Sequence, residues 1–161
     1  MIRIETYDDS YKDQVAALII NIQRNEFGVP VTLADQPDLL NIKNFYCREK
    51  GNFWLAKDED KLIGTIGLID IDNKQGVIRK MFADKNFRGK DKAVGQLLLD
   101  TLINWCKGND INEIYLGTVH ILVAAGKFYL KNGFVVVEKN LLPKNFPIMP
   151  VDNLFFKLTI V

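Results

Sequence analysis

Apolar and polar residues alternate at the start of the chain. Ile2 and Ile4 fall on one side and Arg3 and Glu5 on the other, which predicts a short strand over Met1–Thr6. Asp8, Asp9 and Ser10 are residues of the helix-cap type, and Val15, Leu18, Ile19 and Ile22 then recur at helical spacing. That helix fades by Phe27-Gly28-Val29-Pro30. A second helix is predicted after Asp35-Gln36, with Pro37 at its first position and Leu39, Leu40, Ile42 and Phe45 as its apolar stripe. The period then switches to that of strands. Asn52–Lys57 and Lys61–Asp70 flank a hairpin turn at Asp58-Glu59-Asp60, and a further strand runs from Gly76 to Ala83 after a turn over Asn73–Gln75. Helical spacing returns from Lys92 to Lys107, with Val94, Leu97, Leu98, Thr101, Leu102 and Trp105 on one face and Gly108-Asn109 as its end. Asn112–Leu116 predicts a strand and Ile121–Lys131 a helix closed by Asn132-Gly133. Phe134–Glu138 and Leu154–Ile160 are the last strands, around a loop holding Pro143, Pro147 and Pro150. The order β-α-α-β-β-β-α-β-α-β-β is that of a mixed α/β domain. Its central strand–helix–strand passage requires a parallel pair made by crossover.

Composition limits what such a domain does. The 161 residues hold no repeat, low-complexity tract or Gly/Ser linker, so one domain over residues 1–161 is expected. Lys+Arg 21 against Asp+Glu 20 leaves +1, no basic excess to attract nucleic acid. No apolar run approaches the roughly 18 residues that span a bilayer, and the acidic start leaves no room for a signal peptide, so no membrane association and a cytoplasmic location are expected. Two cysteines, Cys47 and Cys106, and one histidine supply neither a disulfide framework nor a metal site. Asp70 and Asp72 lie two apart at a strand end and are read as an exposed turn, not a carboxylate pair.

The chemistry concentrates in VIRKMFADKNFRGKDKAVGQLLL, residues 77–99. A strand runs into a turn holding Arg88, Gly89, Lys90, Lys92 and Gly95, and a helix begins as the turn ends. Unpaired N–H groups, the positive helix end and small residues together make an anion site. Taken alone, the same residues also fit a solvated basic loop. The sequence lacks both the Gly-x4-Gly-Lys-Ser/Thr phosphate loop and a Gly-x-Gly-x-x-Gly turn after the first strand, which sets nucleotide hydrolases and dinucleotide-binding folds aside. A second segment, AAGKFYLKNGF over residues 124–134, places Phe128 and Tyr129 on a helix that Gly133 turns into the next strand.

Together these segments, with the hairpin FWLAKDEDKLIGTIGLIDI, resemble the GNAT superfamily of acyl-CoA-dependent N-acyltransferases. The resemblance rests on the strand with its R-G-K turn and helix and on the A-x-x-x-Y-x-K-x-G-F ending, and it covers most of the chain. It implies an α+β fold: a mixed, mostly antiparallel sheet flanked by helices, with a splayed parallel strand pair as the acyl-CoA cleft. The cosubstrate implied is acetyl-CoA, with no metal, and the partner an amine acceptor. The strand backbone at Lys80, Met81 and Phe82 would hold the pantetheine arm. Arg88, Gly89, Lys90, Lys92, Ala93, Val94 and Gly95 would wrap the pyrophosphate. The family pattern fits Lys90-x-x-Ala93-x-Gly95 best, which leaves Arg88-Gly89 two residues further upstream than in the commonest version. Tyr129 matches the tyrosine that in many members protonates the departing thiolate, and a backbone N–H near Met81 or Phe82 would serve the oxyanion.

Two family positions are changed. Val77 stands where many relatives carry a glutamate base, and Leu122 where the family often has asparagine. The base candidates are therefore Glu26, before the FGVP bend, and His120, after the fifth strand; a water chain is the third route. Direct transfer needs no nucleophilic cysteine, so Cys47 and Cys106 are read as packing residues. The segment from Glu26 to Tyr46 is expected on the acceptor side, with Phe45 or Tyr46 as lining candidates. The leading expectation is acetyl transfer to a primary amine of a small molecule or peptide. The alternative is a non-catalytic acyl-CoA-binding or regulatory module. Leu154–Ile160 is free to pair within the sheet or across a homodimer.

Overall fold

A computed structural model describes residues 1–89 and 93–161. Seven strands form one mixed sheet in the order β1-β2-β3-β4-β5-β7-β6. They are β1 (Ile2–Thr6), β2 (Asn52–Asp58), β3 (Lys61–Asp70), β4 (Gln75–Ala83), β5 (Glu113–Thr118), β6 (Val135–Val137) and β7 (Leu154–Thr159). Every neighbouring pair is antiparallel except β4 and β5. The expected tail strand pairs within the sheet, between β5 and β6. This is the fold class that the sequence implied.

Helices cover both faces. On one lies α4 (Val94–Gly108), the crossover between β4 and β5, together with α5 (Val123–Lys131). On the other lie α1 (Lys12–Asn21), α2 (Pro37–Leu40) and α3 (Ile42–Tyr46). Strand β2 is buried from Asn52 to Lys57, with no exposed alternate positions, because it is sandwiched between these layers. Two glycines of β3 let the helices close in. A Cβ on Gly64 would lie 2.9 Å from Val94 of α4, and one on Gly67, facing the other way, 2.9 Å from the Tyr46 ring of α3.

The helices depart from expectation in three places. The buried face of α4 is Val94, Leu98, Leu99, Leu102 and Cys106, while Leu97 is exposed. The expected second helix is broken at Asn41 (φ −152°, ψ 59°), which caps α3. Leu39 and Ile42 are buried, but Leu40 and Phe45 face outward. Helix α1 ends in a widened turn over Ile22–Glu26, with Phe27 N donating to Ile22 O at 3.1 Å. From that turn Gln23 reaches Gln36 and Glu26 reaches Arg88.

Two irregularities of β4 position the site. Its parallel pairing with β5 stops after Val77 opposite Tyr115, so beyond that point the two strands diverge. Against β3, Thr65 pairs with Phe82 and Gly67 with Arg79, leaving Lys80 and Met81 opposite Ile66 alone. This is a β-bulge, with Lys80 at φ 54°. The inserted residue shifts the parity of the strand. Arg79, Lys80 and Phe82 face the α1–α3 side, and Met81 faces α4 and α5.

Candidate active site

The divergence of β4 and β5 opens a cleft with β3 on one side of β4 and no described strand on the other. The start of α4 stands at one wall. Its cap residue is Ala93, in the left-handed region at φ 51°, and no side chain caps it. Gly89 is also left-handed at φ 93°, and its carbonyl accepts from Ala93 N at 2.7 Å. Among the described residues the first N–H groups of α4 thus have no side-chain acceptor, and they suit an anion. A Cβ on Gly95 would sit 3.5 Å from Met81 Cε and 3.9 Å from Phe128, so this corner stays open because residue 95 is small. Lys90 and Lys92, expected in the same turn, lie outside the described residues.

Tyr129 stands at the base of the cleft. Its ring packs against Phe128, Phe134 and Phe156 at centroid distances of 5.4–5.6 Å, and its hydroxyl donates to Met81 Sδ at 3.3 Å. Burial pushes the phenol well above its ordinary value, so it stays a proton donor across the physiological range. Gln96 of α4 donates to Asn132 at the end of α5 at 2.8 Å and ties the two helices together.

On the opposite face the bulge delivers Lys80 into a buried polar network. Its Nζ donates to Gln36 Oε1 at 2.6 Å and lies 3.6 Å from Asp38 Oδ2. Tyr46 donates to the same Asp38 oxygen at 2.5 Å, and Gln23 and Gln36 exchange amide hydrogen bonds at 2.8 and 2.9 Å. Burial lowers the Lys80 pKa, opposed by the Asp38 charge. The same two influences push Tyr46 up, burial first. The Lys80 carbonyl accepts from Thr65 Oγ1 at 2.7 Å, on the β3 side. Lys80 was expected as donor-side backbone, yet both its side chain and its carbonyl have partners away from the cleft edge. Of the three β4 residues expected to hold the pantetheine arm, Met81 alone carries its side chain toward α4 and Tyr129.

The structure joins two residues that the sequence assigned to different tasks. Arg88 forms a bidentate ion pair with Glu26, through Nη1 to Oε2 and through Nη2 to Oε1 at 2.9 Å. Its Nε donates to Ala83 O at 2.8 Å, and the guanidinium lies over the Phe27 ring. Three of its five donors are therefore spent on protein partners. Glu26, offered as a base, has both oxygens engaged. His120 is exposed, with its backbone N–H donating to Asn153 Oδ1 at 2.8 Å. That leaves Asn153 Nδ2 as donor to His120 Nδ1 at 2.7 Å, which places the proton of the neutral ring on Nε2. The lone pair of the neutral ring is then engaged by Asn153, a poor arrangement for a base.

The remaining candidates take structural places. Cys106 is buried and pushed up to about 12 by burial, and Cys47 is half-buried and also raised. Asp70 accepts from the backbone N–H groups of Lys50 and Asp72. Among the described residues no cluster of His, Cys, Asp and Glu is arranged for a metal, and no helix is long and apolar enough to cross a membrane. Sequence reasoning passed over Arg79, Asp38 and Asp152. Adjacent Arg79 and Lys80 in mid-strand break the period of two, a signal for the bulge. Asp152 has no local signal, because only chain packing brings it beside Gly117.

Known proteins share this arrangement. The profile of the Acetyltransferase (GNAT) family matches residues 16–134. The fold superimposes on an acetyltransferase of the GNAT family from Staphylococcus aureus Mu50 with a TM-score of 0.94 and 41% identity, covering 100% of both chains. An N-acetylaspartate synthetase of Xenopus tropicalis is 32% identical over 128 residues, 75% of this chain and 45% of that protein. The chain spans less than half the length of such relatives. N-acetylglutamate synthase from Neisseria gonorrhoeae, complexed with coenzyme A and N-acetyl-glutamate, shares the fold at a TM-score of 0.77 and 16% identity, over 100% of this chain and 35% of that one. The chain belongs to the GNAT acetyltransferase family.

Proposed function

We propose that this protein transfers an acetyl group from acetyl-CoA to a primary amine by direct attack in the cleft between β4 and β5. The carrying observation is the end of parallel pairing at Val77–Tyr115, with the uncapped start of α4 on one wall and Tyr129 at the base. The residues fit the cosubstrate: the corner at Gly95 is open, and β4 beyond Val77 offers an unpaired edge to a strand-like arm. Acetyl-CoA supplies the activated acyl carbonyl. The amides of Val94 and Gly95 hold the pyrophosphate beside Gly89 and Ala93, whose own hydrogen bond shapes the turn, and Lys90, Lys92 and the two uncommitted N–H groups of Arg88 add donors. The β4 backbone around Met81 and Phe82 orients the arm, with Lys80, turned to Thr65, Gln36 and Asp38, holding the bulge behind it. Tyr129 gives its phenolic proton to the departing sulfur, a task worth about 10²- to 10⁴-fold for a positioned acid.

Calorimetric titration with acetyl-CoA and with free coenzyme A tests the reading. Micromolar binding, weakened at least tenfold by Gly95→Glu, is expected. Absence of binding to either ligand overturns it. A screen of amines that follows thiol release separates a transferase from a module that only binds the cosubstrate.

A further inference from the structure

We propose that the acceptor is a small amine that also carries a carboxylate, of the free amino acid class, held with its carboxylate on Arg79 and its ammonium facing Asp152. This rests on the reading that the cleft acylates an amine, and it names which amine.

The two residues come from opposite sides of the cleft. Arg79 is half-buried on the α1–α3 face of β4, brought beside Lys80 by the bulge. The Lys80 side chain is committed to Gln36 and Asp38, whereas the Arg79 side chain makes no hydrogen bond or ion pair with any described residue and only lies over the Phe45 ring at 5.8 Å. Asp152 approaches from the β5 side. Its carboxylate lies over Gly117, where a Cβ would come 2.5 Å from Oδ2, so a side chain at 117 would displace it. Its backbone N–H donates to Met149 O, but its carboxylate has no hydrogen-bond partner among the described residues. No described buried polar side-chain atom lacks a partner, so the unpaired atoms of both residues reach solvent.

Arg79 stands two residues beyond Val77, and Gly117 two residues beyond Tyr115, the last parallel pair, so Arg79 and the Asp152 carboxylate over Gly117 flank the divergence on one face without forming an ion pair. A half-buried cation and a half-buried anion that face one space without closing on each other match a zwitterion. The guanidinium fork accepts a carboxylate through two parallel bonds, and it is less strongly hydrated than an ammonium, so it gives up water readily. A diamine would set a second cation against Arg79 and Lys80. An amine without a carboxylate would leave Arg79 unpaired as the site closes, the condition under which polar sites discriminate most strongly. Asp152 then takes one proton from the ammonium. The freed nitrogen lone pair forms the C–N bond, the C–S bond breaks, and the sulfur gains the proton of Tyr129. The second nitrogen proton returns through solvent to the phenolate, and the proton on Asp152 leaves to bulk. The sum is amide, free thiol and one proton. Asp152 is the catalytic residue here and Arg79 the specificity determinant.

The test follows thiol release with free amino acids, their carboxamides and their decarboxylated amines, each with acetyl-CoA. Calorimetric titration of N-acetyl amino acids into the coenzyme A complex runs beside it. Amino acids are expected to exceed their amides by about 10²-fold or more in kcat/KM. Arg79→Gln is expected to erase that preference mainly through KM and to abolish N-acetyl amino acid binding, with coenzyme A affinity and melting temperature preserved. Arg79→Lys is expected to fall between, retaining charge without the fork. Asp152→Asn is expected to lower kcat more than KM. Equal or better turnover of amides and decarboxylated amines overturns the proposal and leaves acyl transfer standing. Acetyl-CoA binding with no turnover of any acceptor overturns both.

Discussion

The Tyr129 hydroxyl donates to Met81 Sδ at 3.3 Å, from a ring packed on three sides by Phe128, Phe134 and Phe156. A thioether is a weak acceptor, so the phenol is held in direction by its ring contacts rather than by its partner. Such a donor re-aims at little cost toward a stronger acceptor such as a thiolate. Tyr129→Phe is expected to lower kcat by about 10²- to 10³-fold, within the span of a positioned acid. Coenzyme A affinity should change by less than about twofold, because one weak hydrogen bond is lost and the ring packing kept. Steady-state kinetics with parallel calorimetry decides. Unchanged kcat would remove Tyr129 from the proton path.

The Glu26–Arg88 pair links the end of α1 to the turn after β4. It is partly exposed, and pairs of that kind contribute about 0.2–1 kcal/mol. Glu26→Gln is therefore expected to lower stability by no more than about 1 kcal/mol and to keep most of kcat. A hundredfold fall in kcat, with the acidic limb of the rate profile abolished, would restore Glu26 as the base.

Asp152 offers a test through stability. Burial raises its pKa, opposed by Arg79 and Lys80. The folded value lies above the unfolded one of about 3.9, so the folded state holds the proton more firmly. The resulting stabilisation is complete below the unfolded value and is lost as pH rises through the raised folded value. At neutral pH the buried charge is a net cost. Asp152→Asn should melt higher than the parent at pH 7, and the gap should close toward pH 4. A lower melting temperature at pH 7 would show that the carboxylate is a structural contact.

Thr65 is fully buried, and its hydroxyl is the side-chain partner of the Lys80 carbonyl at the bulge. Thr65→Val keeps the shape and removes that hydrogen bond, at a cost of about 0.5–1.5 kcal/mol. For a chain of this size that is a fall of roughly 2–4 °C in Tm per kcal/mol. Because the bulge sets where Arg79 and Lys80 point, acceptor kcat/KM should fall further than coenzyme A affinity. Equal losses in both would mean that the bulge does not separate the two faces.

The legible parts of the sequence were those whose signals are local. Strand and helix periods, the hairpin at Asp58-Glu59-Asp60, the glycine turn before α4 and the position of Tyr129 all lie within a few residues of their cause. The helix faces were less legible. Leu97 and Leu40 are as apolar as their buried neighbours, and only the direction from which the sheet approaches decides which is covered. The break at Asn41 likewise lay inside a run whose apolar spacing fitted one helix.

The sequence by itself determined the strands, the longer helices, their order and the family, because backbone preferences and hydrophobic period act over short stretches of chain. The tertiary structure decided everything that depends on distant segments meeting. It paired Glu26 with Arg88 across 62 residues and Lys80 with Asp38 through a bulge that needs the register of β3. It set Asp152 over Gly117, across the strand divergence from an Arg79 side chain that has no ion-pair partner among the described residues. The electrostatics of a cleft arise from burial and from charges brought together across it, and neither exists until the sheet has closed around them.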